Sequence, residues 1–194
     1  MPLPTEGLVA QGTKAALREK ISEDLRNDYD WRVDPELSEL DATYPLTLPL
    51  EEFAPMYREE ARYPTPRSHR FAIIDLEGRH IGNIMYYDLD LRRRETELGI
   101  MIGDRGYWSH GYGEDAINLL LDYLFDRLNL RRVYLQTLEW NIRAQKCFMK
   151  CGFRQHGSSN RGAYHFMLME VFRDEWERRR QEREQRATKD ADAS

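Results

Sequence analysis

The 194-residue chain predicts a mixed α/β fold of the α+β type, in which helices flank a central, twisted and mostly antiparallel sheet of six to seven strands. Three successive apolar strands between residues 70 and 102 are joined by short turns, which is typical of an antiparallel meander. A long apolar helix over about 114–128 and a strand at 132–138 follow, and this order predicts a crossover between parallel neighbours. A hydrophobic content of 41% and a charged content of 32% are ordinary for a globular protein.

The elements before the meander are mainly helical. Residues 14–21 alternate loosely in hydropathy and predict a first strand, although a helix competes there. Residues 28–44 are acidic and predict a broken helical region. Residues 50–62 predict a helix that ends before Pro64 and Pro66.

The later elements follow from hydrophobic runs separated by turn residues. The predicted strands of the meander are 70–75, 78–89 and 96–102. After the crossover we predict a helix over 142–150 and two final strands, near 153–156 and 163–172.

The chain length suits one domain, which we expect to span residues 1–194 with its core at about 14–172. Residues 173–194 are almost wholly charged and predict a solvated helix that frays into a disordered tail. This segment has no apolar stripe of the kind that a dimerisation helix uses.

Global properties argue against several classes of partner. The formal net charge of −5 disfavours nonspecific nucleic-acid binding and suits a cationic substrate. No apolar run approaches the roughly 20 residues that a membrane span needs. Residues 1–5 show no secretory signal. We therefore expect a cytoplasmic protein without nucleic-acid or membrane partners.

A glycine-rich segment at residues 108–116, Trp-Ser-His-Gly-Tyr-Gly-Glu-Asp-Ala, is the most informative motif. Backbone N–H groups at a helix N-terminus, together with the helix dipole, bind phosphate groups. A P-loop is excluded because Gly-Lys-Ser/Thr does not occur. A dinucleotide fingerprint of a NAD enzyme fits poorly, because residues 104–110 separate the strand from the first glycine. The pyrophosphate loop of acyl-CoA N-acetyltransferases fits the spacing.

Motifs on both sides of this loop extend the resemblance to a known family. In chain order they are His80-Ile81-Gly82-Asn83, the loop, Leu128-Asn129-Leu130-Arg131-Arg132-Val133, Asn141-Ile142-Arg143-Ala144, Lys150-Cys151-Gly152-Phe153 and Asp174-Glu175-Trp176. The stretch Leu98–Phe153 resembles the GNAT acetyltransferase superfamily, especially its ribosomal-protein alanine and spermidine/spermine acetyltransferase branch. The resemblance implies the GNAT fold, in which the parallel strands 96–102 and 132–138 splay apart around the pantetheine arm of the cofactor.

The resemblance also implies acetyl-CoA as co-substrate and no metal. Backbone N–H groups of residues 109–114 would bind the pyrophosphate, and main-chain groups of residues 101–103 would meet the pantetheine and the thioester carbonyl. Lys146 and Lys150 would reach the adenosine 3′-phosphate, unless they are simply solvated lysines. The residues expected to bind the cofactor are Met101, Ile102, Gly103, Trp108, Ser109, His110, Gly111, Tyr112, Gly113, Glu114, Asn141, Phe148 and Lys150.

Two residues are predicted to be catalytic. An alkyl ammonium has a pKa near ~10.4, so a base or a water chain must remove its proton before attack. We predict Glu97 as this base, acting through water; the alternative is an ordinary carboxylate at a strand end. Asn141 is predicted to hydrogen-bond the pantetheine amide or an active-site water, and it also suits the N-cap of its helix.

The chain departs from the family where the leaving thiolate is protonated. The family's tyrosine falls at Phe148, which has no proton to give. Another hydroxyl (Tyr107, Tyr112 or Tyr164) or water would then serve, unless protonation of the thiolate is not kinetically important. Two functions follow as hypotheses: an N-acetyltransferase acting on a primary amine, or a noncatalytic acyl-CoA-binding regulatory module.

The acceptor amine would lie between the N-terminal helical segments and the C-terminal strand pair. Acidic residues there suit a polyamine, an aminoglycoside-like molecule or a protein N-terminus, although a solvated acidic face is the plainer explanation. They are Asp28, Asp30, Asp34, Glu36, Glu39 and Asp41. Dimers are frequent in the family, which leaves a homodimer open.

Cys147 and Cys151 are the two cysteines of the chain. They lie four residues apart on the helix predicted over 142–150, and His156 is the nearest further metal ligand. Because a metal would need two more ligands, we expect two buried thiols on the core-facing side of that helix.

Overall fold

The computed structural model describes residues 7–63 and 65–192, so Pro64 and the ends of the predicted domain, residues 1–6 and 193–194, lie outside it. The strands are Leu8–Gln11 (β1), Ala15–Glu19 (β2), His69–Asp75 (β3), His80–Asp90 (β4), Glu95–Ile102 (β5), Arg132–Leu138 (β6), Arg154–Arg161 (β7) and Tyr164–Phe172 (β8). The helices are Leu25–Val33 (α1), Pro35–Leu40 (α2), Leu50–Arg62 (α3), Tyr112–Asp122 (α4), Ile142–Lys150 (α5) and Arg173–Asp192 (α6). Within these ranges no helix is long and apolar enough to cross a membrane.

The strands form one mixed sheet of eight in the order β1-β2-β3-β4-β5-β6-β8-β7. This confirms the predicted class, with one strand more than the predicted six to seven. The additional strand is β1, a four-residue edge strand too short to give a clear hydropathy pattern. The competing helix over 14–21 is wrong, since Ala15–Glu19 pairs antiparallel with β3.

Helices cover both faces of this sheet. Opposed residues in neighbouring strands share a face, and the row Leu17, Ile73, Gly82 and Ile102 lies on the face that α4 covers. The buried side of α4 consists of Ala116, Ile117, Leu120 and Leu121. The opposite face is covered by the N-terminal helices, because Asn83 on that face donates a hydrogen bond to Asp28 of α1 (2.7 Å).

The predicted helix over 114–128 is divided in two. Helix α4 ends at Asp122, and a π-helical turn, Tyr123–Arg127, continues it. Trp176 of α6 is buried against the ring of Phe125 in this turn (5.0 Å between centroids) and donates a hydrogen bond to Asp122 (2.8 Å). The charged C-terminal segment thus begins as a helix fixed to the core.

Strands β5 and β6 pair over a short length only. They run parallel and are in register from Glu95 to Glu97 opposite Arg132 to Tyr134. The rest of β5, residues 98–102, has no partner on this side, while β6 continues along β8 as far as Leu138. The two parallel strands therefore splay apart, as the family resemblance implied.

A buried ionic network attaches α1 to the sheet. Asp24 accepts two hydrogen bonds from the Arg18 guanidinium (2.6 and 2.8 Å), and both side chains are almost fully buried. Lys20 pairs with Asp28 at 2.8 Å. Separating the partners of a buried pair leaves an uncompensated charge, which is costly. The network therefore favours the one position of α1 in which all of these charges are paired.

Acid titration tests this network. Burial alone raises the pKa of Asp24, but Arg18, Lys20 and His80 outweigh burial and lower the pKa from 3.8 to about 2. The stabilisation is therefore fully present above about pH 5 and is lost as the pH falls through 3.8 toward 2. We expect a loss of roughly 2 kcal/mol in the free energy of unfolding over this interval.

Urea unfolding between pH 6 and pH 2 measures the effect. Asp24→Asn lowers stability at every pH and lacks this part of the pH dependence. Asp30→Asn, whose side chain is exposed on the same helix and pairs with exposed Arg26, keeps the wild-type dependence. Identical pH profiles for wild type and Asp24→Asn would contradict the assignment.

Candidate active site

Two adjoining cavities lie along β5 where it diverges from β6, and the larger of them has a volume of approximately 340 Å³. Its walls come from β5, the glycine loop, α4, α5 and the end of α2. The predicted residues that line it are Met101, Ile102, Trp108, Ser109, Gly111, Gly113, Glu114, Asn141, Phe148 and Lys150. Gly103, His110 and Tyr112 are not among the lining residues. The fold thus brings most of the predicted cofactor residues to one place.

The hydrogen bonds of β5 decide which backbone groups face this gap. The Gly103 N–H donates to the Ile81 carbonyl (3.0 Å), so Gly103 and, by the alternation of an antiparallel ladder, Met101 direct their backbone groups toward β4. Ile100 and Ile102 direct theirs into the gap. The prediction that main-chain groups of residues 101–103 meet the pantetheine and the thioester carbonyl is therefore corrected. Only Ile102 of these three directs its backbone groups into the gap, and Ile100, which was not predicted, does so as well.

The glycine loop presents unbonded N–H groups to the cavity. Gly111 is the N-cap of α4 at φ +89°, a conformation that L side chains rarely adopt. The first helical hydrogen bond runs from the Asp115 N–H to the Gly111 carbonyl (3.0 Å), so the N–H groups of Tyr112, Gly113 and Glu114 have no acceptor within the helix. This is the arrangement that binds an anion.

A carboxylate and a lysine hold this loop against the start of the sheet. Asp115 accepts hydrogen bonds from the backbone N–H groups of Lys14 and Ala15 (2.8 and 2.9 Å). Lys14 Nζ in turn donates to the His110 carbonyl (2.8 Å). Lys14 therefore places a cation beside the loop, a feature that the sequence analysis missed because 96 residues separate the two groups.

Trp108 closes the wall between β5 and the loop. Its Nε1 donates a hydrogen bond to the Ile102 carbonyl in the gap (2.6 Å). The Arg143 guanidinium lies 3.6 Å from its ring centroid, a cation–π contact. Burial lowers the pKa of Arg143, although a guanidinium stays protonated at physiological pH. Arg143 lines the first cavity and is, after Lys14 beside the loop, a second cation that the sequence analysis missed.

Arg105 attaches α2 over the cavity. Its guanidinium pairs with Asp34 at 2.8 Å and with Glu36 at 2.7 Å, and it lies 5.5 Å from the Trp108 ring. Asp34 also accepts from the Leu37 N–H as the N-cap of α2 (3.0 Å). These two carboxylates therefore fix α2 and do not face an acceptor.

Asn141 and Phe148 separate the first cavity from the second. Asn141 is the N-cap of α5, with its Oδ1 accepting from the Ala144 N–H (3.2 Å), and it lines both cavities. Phe148 also lines both and packs against Phe153 in the core (5.8 Å between centroids). Both of the sequence-based interpretations of Asn141, N-cap and site residue, agree with this position.

Glu97 lies beside the second cavity, which has a volume of approximately 170 Å³. Its Oε1 accepts hydrogen bonds from the Tyr87 hydroxyl (2.9 Å) and from Gln136 Nε2 (3.0 Å), and both of those residues line the cavity. Its Oε2 has no hydrogen-bond partner among the described residues. The ring of Tyr87 fits because Gly99, on the same face of β5, has no side chain: a Cβ there would lie 3.3 Å from the ring.

Most of the predicted acceptor acids are already paired. Asp28 pairs with Lys20, Asp30 with Arg26, and Asp34 and Glu36 with Arg105. Asp41 has an exposed pair with Arg32 at 3.7 Å, and it alone of the six predicted acids lines both cavities. Partial burial raises the pKa of Asp41, opposed by the guanidiniums of Arg32, Arg70 and Arg161.

The candidate proton donors are placed differently from one another. The Tyr107 hydroxyl donates to Asp75 (2.7 Å), and this bond, with burial, raises the pKa of Tyr107 to about 12. Tyr112 packs edge-on against Tyr107, and Tyr164 begins β8. Tyr107 alone of the three lines the cavity, and its proton is committed to Asp75.

The two cysteines follow the expectation in part. Cys151 is buried in the core, whereas Cys147 is half-buried and lines the first cavity below Gly113. Among the residues that the structure describes, no cluster of His, Cys, Asp or Glu has the composition of a metal site.

Comparison with known proteins agrees with this geometry. A family model described as an acetyltransferase (GNAT) domain matches residues 15–154. The chain belongs to the GNAT acetyltransferase family. The matched range contains β5, the glycine loop and α5, which line the first cavity, and β6, which lines the second.

Within this GNAT family, polyamine acetyltransferases are among the similar proteins. The chain is 31% identical to spermidine N(1)-acetyltransferase of Vibrio cholerae over 88 residues, which is 45% of this chain and 50% of that protein. It is 27% identical to spermine/spermidine N(1)-acetyltransferase of Bacillus subtilis over 100 residues, or 49% of this chain and 66% of that protein. The alignment with the Vibrio enzyme thus spans half of its length.

Solved structures show the same fold. The crystal structure of spermidine N-acetyltransferase from Vibrio cholerae in complex with CoA and spermine superposes with a TM-score of 0.74 at 22% sequence identity. The superposition covers 84% of this chain and 97% of that chain. The predicted GNAT fold is thereby confirmed.

Substitution of Gly111 tests the role of the loop. Gly111→Glu places a carboxylate against the unbonded N–H groups, and we expect an affinity for acetyl-CoA at least about 100-fold lower, since like-charge contacts cost several kcal/mol. Gly111→Ala is the control, because it adds backbone strain of about 1–2 kcal/mol without charge. Calorimetric titration of each folded variant measures the affinity; wild-type affinity in Gly111→Glu would disprove the assignment of the loop.

Proposed function

We propose that the protein is an acetyl-CoA-dependent N-acetyltransferase that transfers an acetyl group to a primary amine by direct attack. One observation carries the proposal: the unpaired edge of β5 and the free N–H groups at the start of α4 face a single cavity. This arrangement provides backbone donors for an anion at one end and for a carbonyl at the other. Amine acetylation by the polyamine-acetylating relatives supports the class of acceptor.

The chain's own groups suit an acyl-CoA. The N–H groups of residues 112–114 would bind the pyrophosphate, with Lys14 beside them and with Lys146 and Lys150 at the rim of the cavity. The outward backbone groups of Ile100 and Ile102 would hold the pantetheine and polarise the thioester carbonyl. Acetyl-CoA supplies the activated acetyl group. A backbone donor to a developing oxyanion is worth ~3 kcal/mol in the transition state.

Glu97 and Asn141 would prepare the attack. Glu97 Oε2, free of protein partners, would take the ammonium proton through water, while Tyr87 and Gln136 fix the carboxylate through its Oε1. Asn141 stands between the two cavities, where donor and acceptor would meet. The acceptor would enter from the second cavity, on the same side as Asp41.

A noncatalytic acyl-CoA-binding module is the second candidate function. The observation that favours it is Phe148, which lines both cavities and brings no ionisable hydroxyl to the place where the thiolate would leave. The two functions share the same donor site and differ in whether an amine is acetylated.

Calorimetric titration of the purified chain tests the donor site first. We expect micromolar affinity for acetyl-CoA and no heat of binding for NAD. The reason is that residues 104–110 separate the strand from the first glycine, a spacing that fits the acyl-CoA loop and not the dinucleotide fingerprint. Release of free thiol in the presence of primary amines then separates the enzyme from the binding module. Absence of acetyl-CoA binding would overturn both functions; binding without acetylation of any amine would favour the module.

Substitution of Glu97 tests the base. Glu97→Gln removes the proton acceptor but keeps the volume, and we expect a rate about 100-fold lower, with the largest loss at low pH, where free amine is scarcest. The measurement is the pH dependence of kcat/KM. Glu95→Gln is the matched control on the same strand, since Glu95 pairs with Arg132 away from both cavities. A pH profile equal to that of the wild type would exclude Glu97.

A further inference from the structure

The second cavity, here called the acceptor chamber, carries one exposed carboxylate and one exposed guanidinium at its mouth. The carboxylate is Asp41, which follows α2, and the guanidinium is Arg161, which ends β7. The two do not pair with each other within 4 Å in the described structure, whereas Asp41 pairs with the exposed Arg32 at 3.7 Å. Between them the chamber leads to Tyr87 and Gln136, the two residues that hold Glu97.

Arg161 is fixed in this position by local structure. A two-residue turn, Gly162 and Ala163, joins β7 to β8, and Gly162 has a φ of +59°. The Arg161 guanidinium lies 4.9 Å from the ring centroid of Phe166, which is itself buried beneath the chamber. No carboxylate of the described residues lies within 4 Å of Arg161, so its hydrogen-bond donors are available to a ligand.

The charge around the chamber does not suit a polycation. Four of the six predicted acids pair with Lys20, Arg26 and Arg105, and a fifth, Asp41, has an exposed pair with Arg32 at 3.7 Å. Asp41 is therefore the one carboxylate among the lining residues, and Arg161 is a cation without a carboxylate partner at the mouth, while Glu97 lies next to the lining residues Tyr87 and Gln136. A molecule with several ammonium groups would place at least one of them near Arg161, where like charges repel.

We propose that the acceptor is an α-amino acid, whose carboxylate pairs with Arg161 while its amino group lies near Asp41 and Glu97. A planar guanidinium binds a carboxylate through two parallel hydrogen bonds, which also fixes the orientation of the molecule. The apolar walls formed by Leu138, Phe148 and Phe166 would contact the amino-acid side chain. This inference rests on the proposed acetyltransferase function and names the class of its substrate.

The reaction balances without a further reactant. The ammonium proton passes through water to Glu97, and the freed nitrogen lone pair forms the new bond to the acetyl carbon. The carbon–sulfur bond breaks, and its electron pair leaves with the sulfur. The nitrogen loses its second proton to water as the amide forms, and water returns a proton to the thiolate, so that the products are an N-acetyl amino acid and CoA.

Matched pairs of acceptors test the proposal. Phenylalanine is compared with phenethylamine, ornithine with putrescine and lysine with cadaverine, each pair differing only by the α-carboxylate, and spermidine is added. The measurement is kcat/KM from thiol release, with the product confirmed by mass spectrometry. We expect at least one amino acid to be preferred over its decarboxylated partner by about tenfold or more, the range of a charge-assisted hydrogen bond.

Variants of Arg161 connect this preference to the chamber. Arg161→Gln is expected to reduce the preference to near unity without changing the affinity for acetyl-CoA. Arg161→Glu is expected to reverse it in favour of the diamines. Arg154→Gln is the matched control, because Arg154 is an exposed arginine of the same strand that contacts Glu170 and Phe172 outside both cavities. It keeps the wild-type preference.

Three results would overturn the proposal, and they are distinguishable. Acetylation of spermidine or the diamines in preference to every amino acid would disprove the substrate class and leave the acetyltransferase function intact. A preference for amino acids that Arg161→Gln leaves unchanged would disprove the role of the chamber. Absence of acetylation with every amine, despite acetyl-CoA binding, would overturn the proposed enzyme and the inference with it.

Discussion

The divergence of β5 from β6 is the constraint on which the rest of the site depends. Parallel pairing stops at Glu97, and from Leu98 to Ile102 one side of β5 has no strand to bond. Unpaired backbone groups in a protein interior are costly, so they need other partners. Trp108 supplies one of these through its indole N–H to the Ile102 carbonyl. The remaining groups face a cavity, where a ligand with amide and carbonyl groups could satisfy them. The interruption of the sheet is therefore also what creates a binding site.

The acceptor side depends on how charges are paired off. Acidic residues are abundant on the N-terminal helices, yet ion pairs with lysine and arginine occupy most of them. Arg105 joins α2 to the turn that precedes Trp108 and so couples the cover of the cavity to its wall. The carboxylates with structural partners cannot also serve a substrate without breaking those pairs. Arg161 has no carboxylate within 4 Å among the described residues, and Asp41 has only an exposed pair with Arg32 at 3.7 Å. These two are therefore the groups that we propose to recognise the acceptor.

The site was predictable from sequence where local geometry and chemistry coincide. The loop around Gly111 was predictable, because glycine spacing, strand end and helix start are all local signals. The pairing of Arg105 with Asp34 was not predictable. These residues are 71 positions apart, and a hydropathy pattern does not indicate which charged residues pair with each other. For the same reason composition favoured an acidic acceptor face that the ion pairs largely neutralise. Strand β1 was not predicted, because its four residues at the sheet edge are too few to show an alternating hydropathy pattern. Which backbone groups of β5 face the gap depends on the register between β5 and β4. The sequence of one strand does not show that register.

The absence of a hydroxyl at Phe148 is only a weak argument against catalysis. The reaction moves two protons, one to the leaving thiolate and one from the ammonium, and they differ in free-energy cost. A thiol has a pKa near ~8.5, so at pH 7 protonation of a leaving thiolate is downhill by about 2 kcal/mol and water suffices. An alkyl ammonium has a pKa near ~10.4, and its deprotonation at pH 7 costs about 4.6 kcal/mol. The demanding proton is therefore the one that leaves the amine. Glu97, fixed through one oxygen by Tyr87 and Gln136 and free at the other, lies beside the cavity that we propose for the acceptor, where it would take that proton. A phenylalanine can lie beside the leaving thiolate because water protonates the thiolate without help from an acidic side chain.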